Sequence, residues 1–565
     1  MSNVLSKTPQ NEQAAATQSG SELLVKNLEA QGVEYIFGIP GAKIDRVFDT
    51  LVDSKIKTVL CRHEQNAAFI AAGIGRMTGR AGVCIGTSGP GCSNLVTGLA
   101  TATSEGDPVV ALGGATTVAN RLKRVHQAMD TVSIMKPVTK YSAEVNSGDA
   151  ISEVVAEAFR AAESGRPGAS FISLPMDIMA ASASGDVLTP VMPDQLGAAD
   201  ALYIDLAAAA INRAKNPVVL LGMLASQVET ADAVRVFLKK TGLPVVNTYQ
   251  AAGVVSQDLF SQFGGRVGLF HNQPGDRLLH VADLVITVGY DPIEYDAVLW
   301  NKERSGRIIH IDVVRPDADK HYKPEVELIG NVPATLVRLT ERVNPIVQGG
   351  NLEILSEIAM ERGIFAGRAR LMNGTPIHPM RFVHELQGLM SDDMTVCLDM
   401  GSFHIWLARY LYSFRSRQVL ITNGQQTMGV GLPWAIAASL VRPSEKVISI
   451  SGDGGFMFSS MELETAVRLN CNLVHLVWMD GAYDMVRFQQ VAKYGREAAV
   501  EFGPIDVAGI ARACGAHGMM IQTPEEITPS IKKALEMQGP VVIGVPVDYR
   551  DNHKLMEIMH PGSLN

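Results

Sequence analysis

The chain has few cysteines, no long apolar run and no surplus of basic charge, and each absence narrows what it can be. Its six cysteines, Cys61, Cys84, Cys92, Cys397, Cys471 and Cys514, are spread over 565 residues with no CxxC pair. That excludes a disulfide framework and the common zinc spacings, and reads as reduced, mostly buried thiols of a cytoplasmic protein. No stretch approaches the ~18 consecutive apolar residues of a membrane span. The N-terminus lacks the charged-then-apolar pattern of a secretory signal. No membrane partner is therefore expected. Lysine and arginine number 49 against 58 acids, for a net charge of −9, so no nucleic-acid partner held by phosphate neutralisation is expected either. A GxGxxG turn after a strand, with an acid about 20 residues further on, is missing; that argues against a dinucleotide-dependent dehydrogenase.

What is present is apolar and periodic. Apolar residues make up 47% of the chain and charged residues 19%, enough for large cores, and the length is too great for one core. Residues 1–20, rich in Gln, Asn, Ala, Ser and Thr, read as a disordered tail. From 21 onward, short β-branched runs at 35–40, 57–62, 82–89, 108–114 and 169–175 alternate with Ala-rich helical stretches. Runs apolar on both faces are how parallel strands covered by helices read. A breaker-rich stretch at 181–199 separates a second unit with strands at 217–222, 244–249, 282–290 and 307–314. After a long connection at 344–378, a third unit has strands at 395–401, 418–424, 447–452, 472–480 and 540–548. The expected fold class is α/β, three doubly wound parallel-sheet domains at 21–185, 195–345 and 375–555.

The third unit carries the sharpest chemistry. A buried strand runs into Gly452-Asp453-Gly454-Gly455 and a helix follows, with Ser459 and Glu462 spaced as a capping box. Glycines there let backbone approach a ligand, a helix start offers N–H groups to a phosphate, and Asp453 at a strand end can hold Mg²⁺. A tight strand-to-helix turn would look the same. The next strand ends at Asp480, 27 residues after Asp453. Strand, helix and strand bring those ends side by side, so both carboxylates can ligate one ion, with the Ala482 carbonyl two residues on. In the first unit Glu64 stands between a strand and an Ala-rich helix, where its carboxyl is expected to be desolvated; an acid that only favours the helix dipole would stand there too.

This spacing resembles the motif of the thiamine-diphosphate-dependent enzymes, with Asp480 where the commonest pattern has Asn. The resemblance implies further roles. Glu64 would bond the cofactor's pyrimidine nitrogen. The run at 423–440 resembles the family's GxGTMGxGLPAA segment; it makes Met428 the wedge between the cofactor's rings, although core filling suits a Met equally. The Gln426 carbonyl would accept the cofactor's amino N–H, indifferent to Gln replacing Gly. Gly401, Ser402 and His404 would contact the diphosphate. Tyr483, Met485 and Val486 would fold over the cofactor.

Within that family the runs at 37–49, 87–114 and 244–253 resemble acetolactate synthases of the catabolic, flavin-free type. The resemblance implies that two pyruvate molecules condense to 2-acetolactate with loss of CO₂, on the route to acetoin and butanediol. Lys43 would hold a pyruvate carboxylate, unless it is a surface lysine; Gln127 would lie near the reacting centre, and Gln489 would replace the Trp that favours 2-ketobutyrate as acceptor. FAD is not expected, because Tyr290-Asp291-Pro292-Ile293-Glu294-Tyr295-Asp296 lacks the two arginines of the flavin-binding run. A homodimer or homotetramer with active sites between chains is implied. A flavin-containing biosynthetic synthase, or another thiamine-diphosphate pyruvate enzyme, remains the alternative.

Overall fold

The structure, a computed structural model, describes residues 18–269, 272–303, 306–345 and 350–557. The first sheet has six parallel strands: β1 (Tyr35–Gly38), β2 (Lys57–Leu60), β3 (Gly82–Gly86), β4 (Val109–Ala115), β5 (Tyr141–Glu144) and β6 (Ala169–Pro175). Their order is β2-β1-β3-β4-β6-β5. The central strands are largely apolar and buried along most of their length, with Ser170 and Ser173 of β6 as buried polar exceptions. Edge strand β2 is not: Lys57, Thr58 and Leu60 are exposed and only Val59 is buried. The helices of this domain include α1 (Gly20–Ala30), α2 (Glu64–Thr78) and α3 (Pro90–Glu105).

The expected tail lies outside the described residues up to 17, but its last three residues belong to regular structure. Gln18–Ser19 pairs antiparallel with Ser182–Ala183. Ser19 and Glu22 then form a capping box that starts α1. The reciprocal bonds satisfy two helix-end donors, which fixes where this helix begins.

The second sheet has β7 (Pro217–Leu221), β8 (Val245–Thr248), β9 (Phe263–Val267), β10 (Leu284–Val288), β11 (Arg307–Asp312) and β12 (Val326–Ile329). They are parallel, in the order β9-β8-β7-β10-β11-β12. Relabelled from its first strand this is 3-2-1-4-5-6, the doubly wound arrangement with a crevice between strands 1 and 4. The connection at 344–378 is not featureless; it contains α4 (Gly350–Arg370), a 21-residue helix.

The third sheet comprises β13 (Met394–Leu398), β14 (Val419–Ile421), β15 (Lys446–Gly452), β16 (Leu473–Met479), β17 (His517–Met520) and β18 (Val541–Pro546). Its order, β14-β13-β15-β16-β18-β17, repeats that of the first sheet. Its helices include α5 (Ser402–Tyr410), α6 (Gly431–Val441), α7 (Asp453–Ser459), α8 (Glu462–Arg468) and α9 (Asp484–Tyr494).

First and third domains share a core. Phe69 and Ile70 of α2 and Trp434 of α6 are fully buried in one cluster. A Cβ on Gly73 would lie 2.8 Å from Ala437 Cβ, so a glycine is what lets α2 and α6 approach. Each such buried Phe or Ile stabilises by about 1.5–3 kcal/mol, which makes this a fixed junction. Arg76 of α2 reinforces it, lying 4.4 Å above the Trp434 ring and donating to the Ile421 carbonyl.

Candidate active site

The third-domain half of the site is a cleft of about 510 Å³ at the carboxyl ends of β13, β15 and β16. Strand β15 passes directly into α7, so Asp453 stands at a strand end and a helix start together. Its carboxylate holds the neighbouring turn: one oxygen accepts from Gly454 N at 3.0 Å, the other from Asp480 N at 3.2 Å and Gly481 N at 2.9 Å. Burial pushes the Asp453 carboxyl above its ordinary range. A side chain at Gly454 would meet the Tyr483 ring at 2.6 Å, and one at Gly455 would meet Asp399 Oδ2 at 3.0 Å. Both glycines thus keep the turn open by absence of Cβ.

Asp480 lies beside Asp453. One of its carboxylate oxygens, Oδ2, is buried with no hydrogen-bond partner among the described residues. Burial, then the charges of Asp453 and Asp484, push it up to about 8. An unpartnered buried carboxylate oxygen next to a second carboxylate fits a divalent cation. Among the described residues no lysine or arginine lines the cleft, so an anionic ligand there needs its charge balanced by a bound ion. No group of three or more His, Cys, Asp or Glu residues poised as a metal site occurs among the described residues. Asp453 and Asp480 stand side by side, and Ala482 lines the same cleft; two carboxylates alone would leave a cation's remaining positions to a ligand's own oxygens.

Other expected residues meet at this cleft. Gly401, Ser402, Gln426, Met428, Gly452, Tyr483, Met485, Val486 and Gln489 all line it. Ser402 Oγ donates to Asp484 at 2.6 Å, tying the start of α5 to the start of α9. Gln489 is exposed, well inside α9, so it does not cap a helix.

Three expectations need correction. His404 does not reach the cleft. It is fully buried, bonds the Thr422 carbonyl at 3.1 Å and meets the Tyr249 ring edge-on; burial lowers it to about 4. The cause is helical: two residues on from Ser402 is about 200° around α5. Gln426 is not a position indifferent to its side chain, because its φ is +51°, and a non-glycine residue in that left-handed region costs about 1–2 kcal/mol. Ser459 and Glu462 form no capping box. Glu462 is fully buried and its carboxylate instead accepts from Arg62 N at 2.9 Å, His63 N at 3.1 Å and Asn66 Nδ2 at 3.2 Å. It anchors the segment leading to Glu64.

The first-domain residues gather around the 86–91 loop. Glu64 begins α2, with His63 as N-cap, and is 7% exposed. Asn94 Nδ2 of α3 donates to Glu64 Oε2 at 3.0 Å. Cβ atoms on Gly86 and Gly91 would lie 3.5 and 3.4 Å from the Glu64 side chain, so the loop packs on it. On the loop's other side Gln127, with φ +59°, accepts from Ser88 Oγ at 3.2 Å and packs against Gly89. Lys43 is half-buried; its own carbonyl abuts Gly114 at the end of β4. The structure thus brings Glu64 and Gln127 to one loop, with Lys43 on the adjoining turn, and Gly41 packs on Thr87 of that loop. None of these first-domain residues lines the third-domain cleft.

Sequence reasoning missed several supports. Asp399 is buried, accepts from Gly429 N at 2.8 Å and Met400 N at 2.7 Å, and burial pushes it up to about 7. Glu105, at the end of α3, clasps the segment ahead of Gln426, accepting from Asn423 N and Gly424 N. In the middle domain, Glu294 is buried in the crevice between β7 and β10. Its carboxylate accepts from Met223 N at 2.9 Å, Asp291 N at 3.2 Å and Thr248 Oγ1 at 2.6 Å. Burial pushes it up to about 8. A strand-end position was the only sequence signal for Asp399, nothing local marked Glu105, and Glu294 was named only as part of the 290–296 run that lacks the flavin-binding arginines.

Comparison with known proteins accords with this geometry. Family models of the thiamine pyrophosphate enzymes match three segments: the N-terminal TPP binding domain at 18–134, the central domain at 204–339 and the C-terminal TPP binding domain at 399–545. A protein of Raoultella terrigena named "Acetolactate synthase, catabolic" is 52% identical, over 96% of this chain and 97% of its own length. An "Acetolactate synthase" of Bacillus subtilis is 47% identical, over 98% of this chain and 97% of its own. The "Acetolactate synthase isozyme 2 large subunit" of Escherichia coli is 30% identical, over 97% and 98%.

Proposed function

This chain belongs to the thiamine pyrophosphate enzyme family, and from that premise we propose that it condenses two pyruvate molecules to 2-acetolactate with loss of CO₂, as a catabolic acetolactate synthase. The observation that carries the reading is the 52% identity to a relative named for that activity, spread over 96% of the chain. Bound thiamine diphosphate supplies the electron sink for decarboxylation and carries the two-carbon unit. The protein's part is to bind, orient and move protons. Asp453, Asp480 and the Ala482 carbonyl would hold the Mg²⁺ that balances the diphosphate charge, and Gly452, Gly454 and Gly455 would let the backbone approach it. Met428 would pack against the cofactor's rings, with the Gln426 carbonyl as an acceptor for its amino group. Gly401 and Ser402 close the diphosphate end; Tyr483 and Met485 cover the cofactor. Glu64, held by Asn94, exchanges a proton with the pyrimidine nitrogen. Lys43 holds the pyruvate carboxylate, Gln127 lies near the reacting centre, and Gln489 with Val486 walls the acceptor.

The site is proposed to form between two chains, Glu64 from one and Asp453 from the other. Support comes from the cleft being lined by third-domain residues only. Apolar side chains are also exposed beside each half: Leu60 and Leu122 in the first domain, Met457, Phe458 and Val486 in the third. A partner chain would cover side chains of this kind. FAD is proposed not to be required. The middle-domain crevice, where a dinucleotide's phosphates bind in this strand order, is filled by the Glu294 carboxylate, which already takes the Met223 and Thr248 donors.

The test is apo protein titrated with thiamine diphosphate and Mg²⁺, without flavin, and assayed with pyruvate. Acetolactate, read as acetoin after acidification, is expected from a colourless preparation. Acetaldehyde as the main product, or activity that falls when FAD is stripped from a yellow preparation, overturns the reading.

A further inference from the structure

A second cavity, of about 320 Å³, lies between the middle domain, α4 and α5, and shares no lining residue with the cofactor cleft. Two of its walls are arginines that have no acidic partner among the described residues. Arg266 of β9 is 4% exposed and donates only to neutral groups, the Ala408 and Leu411 carbonyls and Ser413 Oγ. Its Nε is buried with no partner. Arg362 of α4 is half-buried, lies 4.5 Å above the Phe260 ring and donates to the Phe263 carbonyl. The acids of the wall are paired: Glu361 with Arg277, outside the lining, at 2.9 Å, and Asp551 with His378, itself a lining residue, at 3.3 Å. A buried cation without a counter-ion is costly, and a cavity beside the buried Arg266 and the half-buried Arg362 is where an anion gains most. The rest of the wall is mixed, with Arg368, Arg409, Met372 and Met380 beside an aromatic patch. Phe365 and Tyr410 are stacked with centroids 3.8 Å apart, and Trp406 and Tyr412 complete the patch.

We propose that this cavity is a binding site for a small organic carboxylate with a flat apolar body, distinct from the active site. The carboxylate faces Arg266 and Arg362, whose planar guanidinium groups suit it, and the apolar body lies against the aromatic wall. The volume is in the range of small-molecule pockets. Helix α5 joins the two sites: Ser402 at its start lines the cofactor cleft, while Trp406 and Tyr410 line the cavity.

The experiment is calorimetric titration of the full chain, loaded with thiamine diphosphate and Mg²⁺, with 1-naphthylacetate and with its neutral amide. The acid is expected to bind about tenfold or more tightly than the amide, as a charge-assisted pair requires. Saturating pyruvate should not displace it. Arg362→Leu should weaken the acid about tenfold, leave the amide unchanged and leave turnover of pyruvate unchanged. Absence of acid binding at millimolar concentration, equal affinity for acid and amide, or displacement by pyruvate each overturns the proposal. So does unchanged acid binding in a folded Arg362→Leu protein. The acid–amide comparison on the unmodified protein decides the matter even where a variant fails to fold.

Discussion

Glu105 is expected to hold the cofactor-facing segment of the third domain in place from the first. It sits at the last turn of α3 and is 3% exposed. Its carboxylate accepts from Thr422 Oγ1 at 2.8 Å, Asn423 N at 3.1 Å, Gly424 N at 2.9 Å and Gln425 N at 3.3 Å. Arg76 donates to it at 3.2 Å, and Gln250 of the middle domain donates to it as well. Those backbone donors immediately precede Gln426 and Met428. Glu105→Gln preserves the shape but replaces one acceptor oxygen by a donor and removes the charge facing Arg76. Hydrogen bonds to a charged group contribute about 1.5–3 kcal/mol each, and breaking a buried pair costs about 3–5 kcal/mol. These terms overlap, so we take about 3 kcal/mol for the variant. At roughly 2–4 °C per kcal/mol for a domain of this size, its melting transition should fall by about 6–12 °C.

Loss of stability alone would not identify a positioning role. Once the clasp is weakened, binding must reorder the 422–428 segment, and about 1.4 kcal/mol of that work appears as a tenfold weaker thiamine diphosphate affinity. The assay is cofactor titration at saturating Mg²⁺, well below the melting transition. Glu105→Asp, which keeps the charge, should recover part of the affinity. A lowered melting transition with unchanged cofactor affinity in the Gln variant would refute the positioning role; no change in either would refute the clasp itself.

Other residues give outcomes of their own. Glu64→Gln keeps its contact with Asn94 but cannot exchange a proton, so turnover should fall by about 10²–10⁴ with the fold retained; near-normal turnover at saturating cofactor would exclude Glu64 from that role. Asp453→Ala should abolish activity or raise the Mg²⁺ requirement steeply, whereas Asp480→Asn should be tolerated; Mg²⁺ titrations of the two compare them directly. Glu294 is raised to about 8 from an ordinary 4.5, so the folded state holds more protons than the unfolded and its ionisation destabilises the fold progressively as pH rises between those values. Glu294→Gln should therefore be close to neutral at pH about 5 and stabilising at pH about 8, gaining up to about 1.4 kcal/mol per unit between; a gain at low pH only, in denaturant melts, would reverse the assignment. Gln489→Trp should shift product towards acetohydroxybutyrate several-fold in competition between pyruvate and 2-ketobutyrate, since one methylene against an apolar wall is worth about 1–3 kcal/mol.

The elements legible in the sequence were those buried on both faces. Strands β15 and β16 are largely buried runs of β-branched and apolar residues, and a βαβ unit fixes the separation of their ends, so Asp453 and Asp480 could be paired from spacing alone. Strand β5 is half-buried throughout, β9 contains two adjacent glycines, and β17 is half-buried beyond its exposed first residue, so none gives a clear apolar run. Helix α4 has no continuous apolar stripe; of its described side chains only a few, among them Leu355, Ile358 and Ala369, are buried, and Gly363 and Gly367 read as breakers. Long-range partners were illegible for a different reason. Glu105 and Thr422 are 317 residues apart and Glu462 and Arg62 are 400 apart, and no local pattern in either member announces the other.

The three sheets also show how far strand order goes towards function. The first and third share one order, and each places its candidate residues at the carboxyl ends of its strands. The middle sheet has the order of dinucleotide-binding domains, yet its crevice is closed by the chain's own side chains. Glu294 fills the space beside Gly222, where a Cβ would lie 2.7 Å from its carboxylate oxygen. Tyr290, fully buried, donates to the Tyr295 carbonyl and receives the Trp300 indole N–H at 3.2 Å. The Glu294 carboxyl already takes the Met223, Asp291 and Thr248 donors that a diphosphate would use. The sheet also has a packing role: its strands carry a separate core, and Gln250 and Asn423 bind it to the junction around Glu105. Strand order alone therefore does not make a sheet a site; the residues at the strand ends decide that.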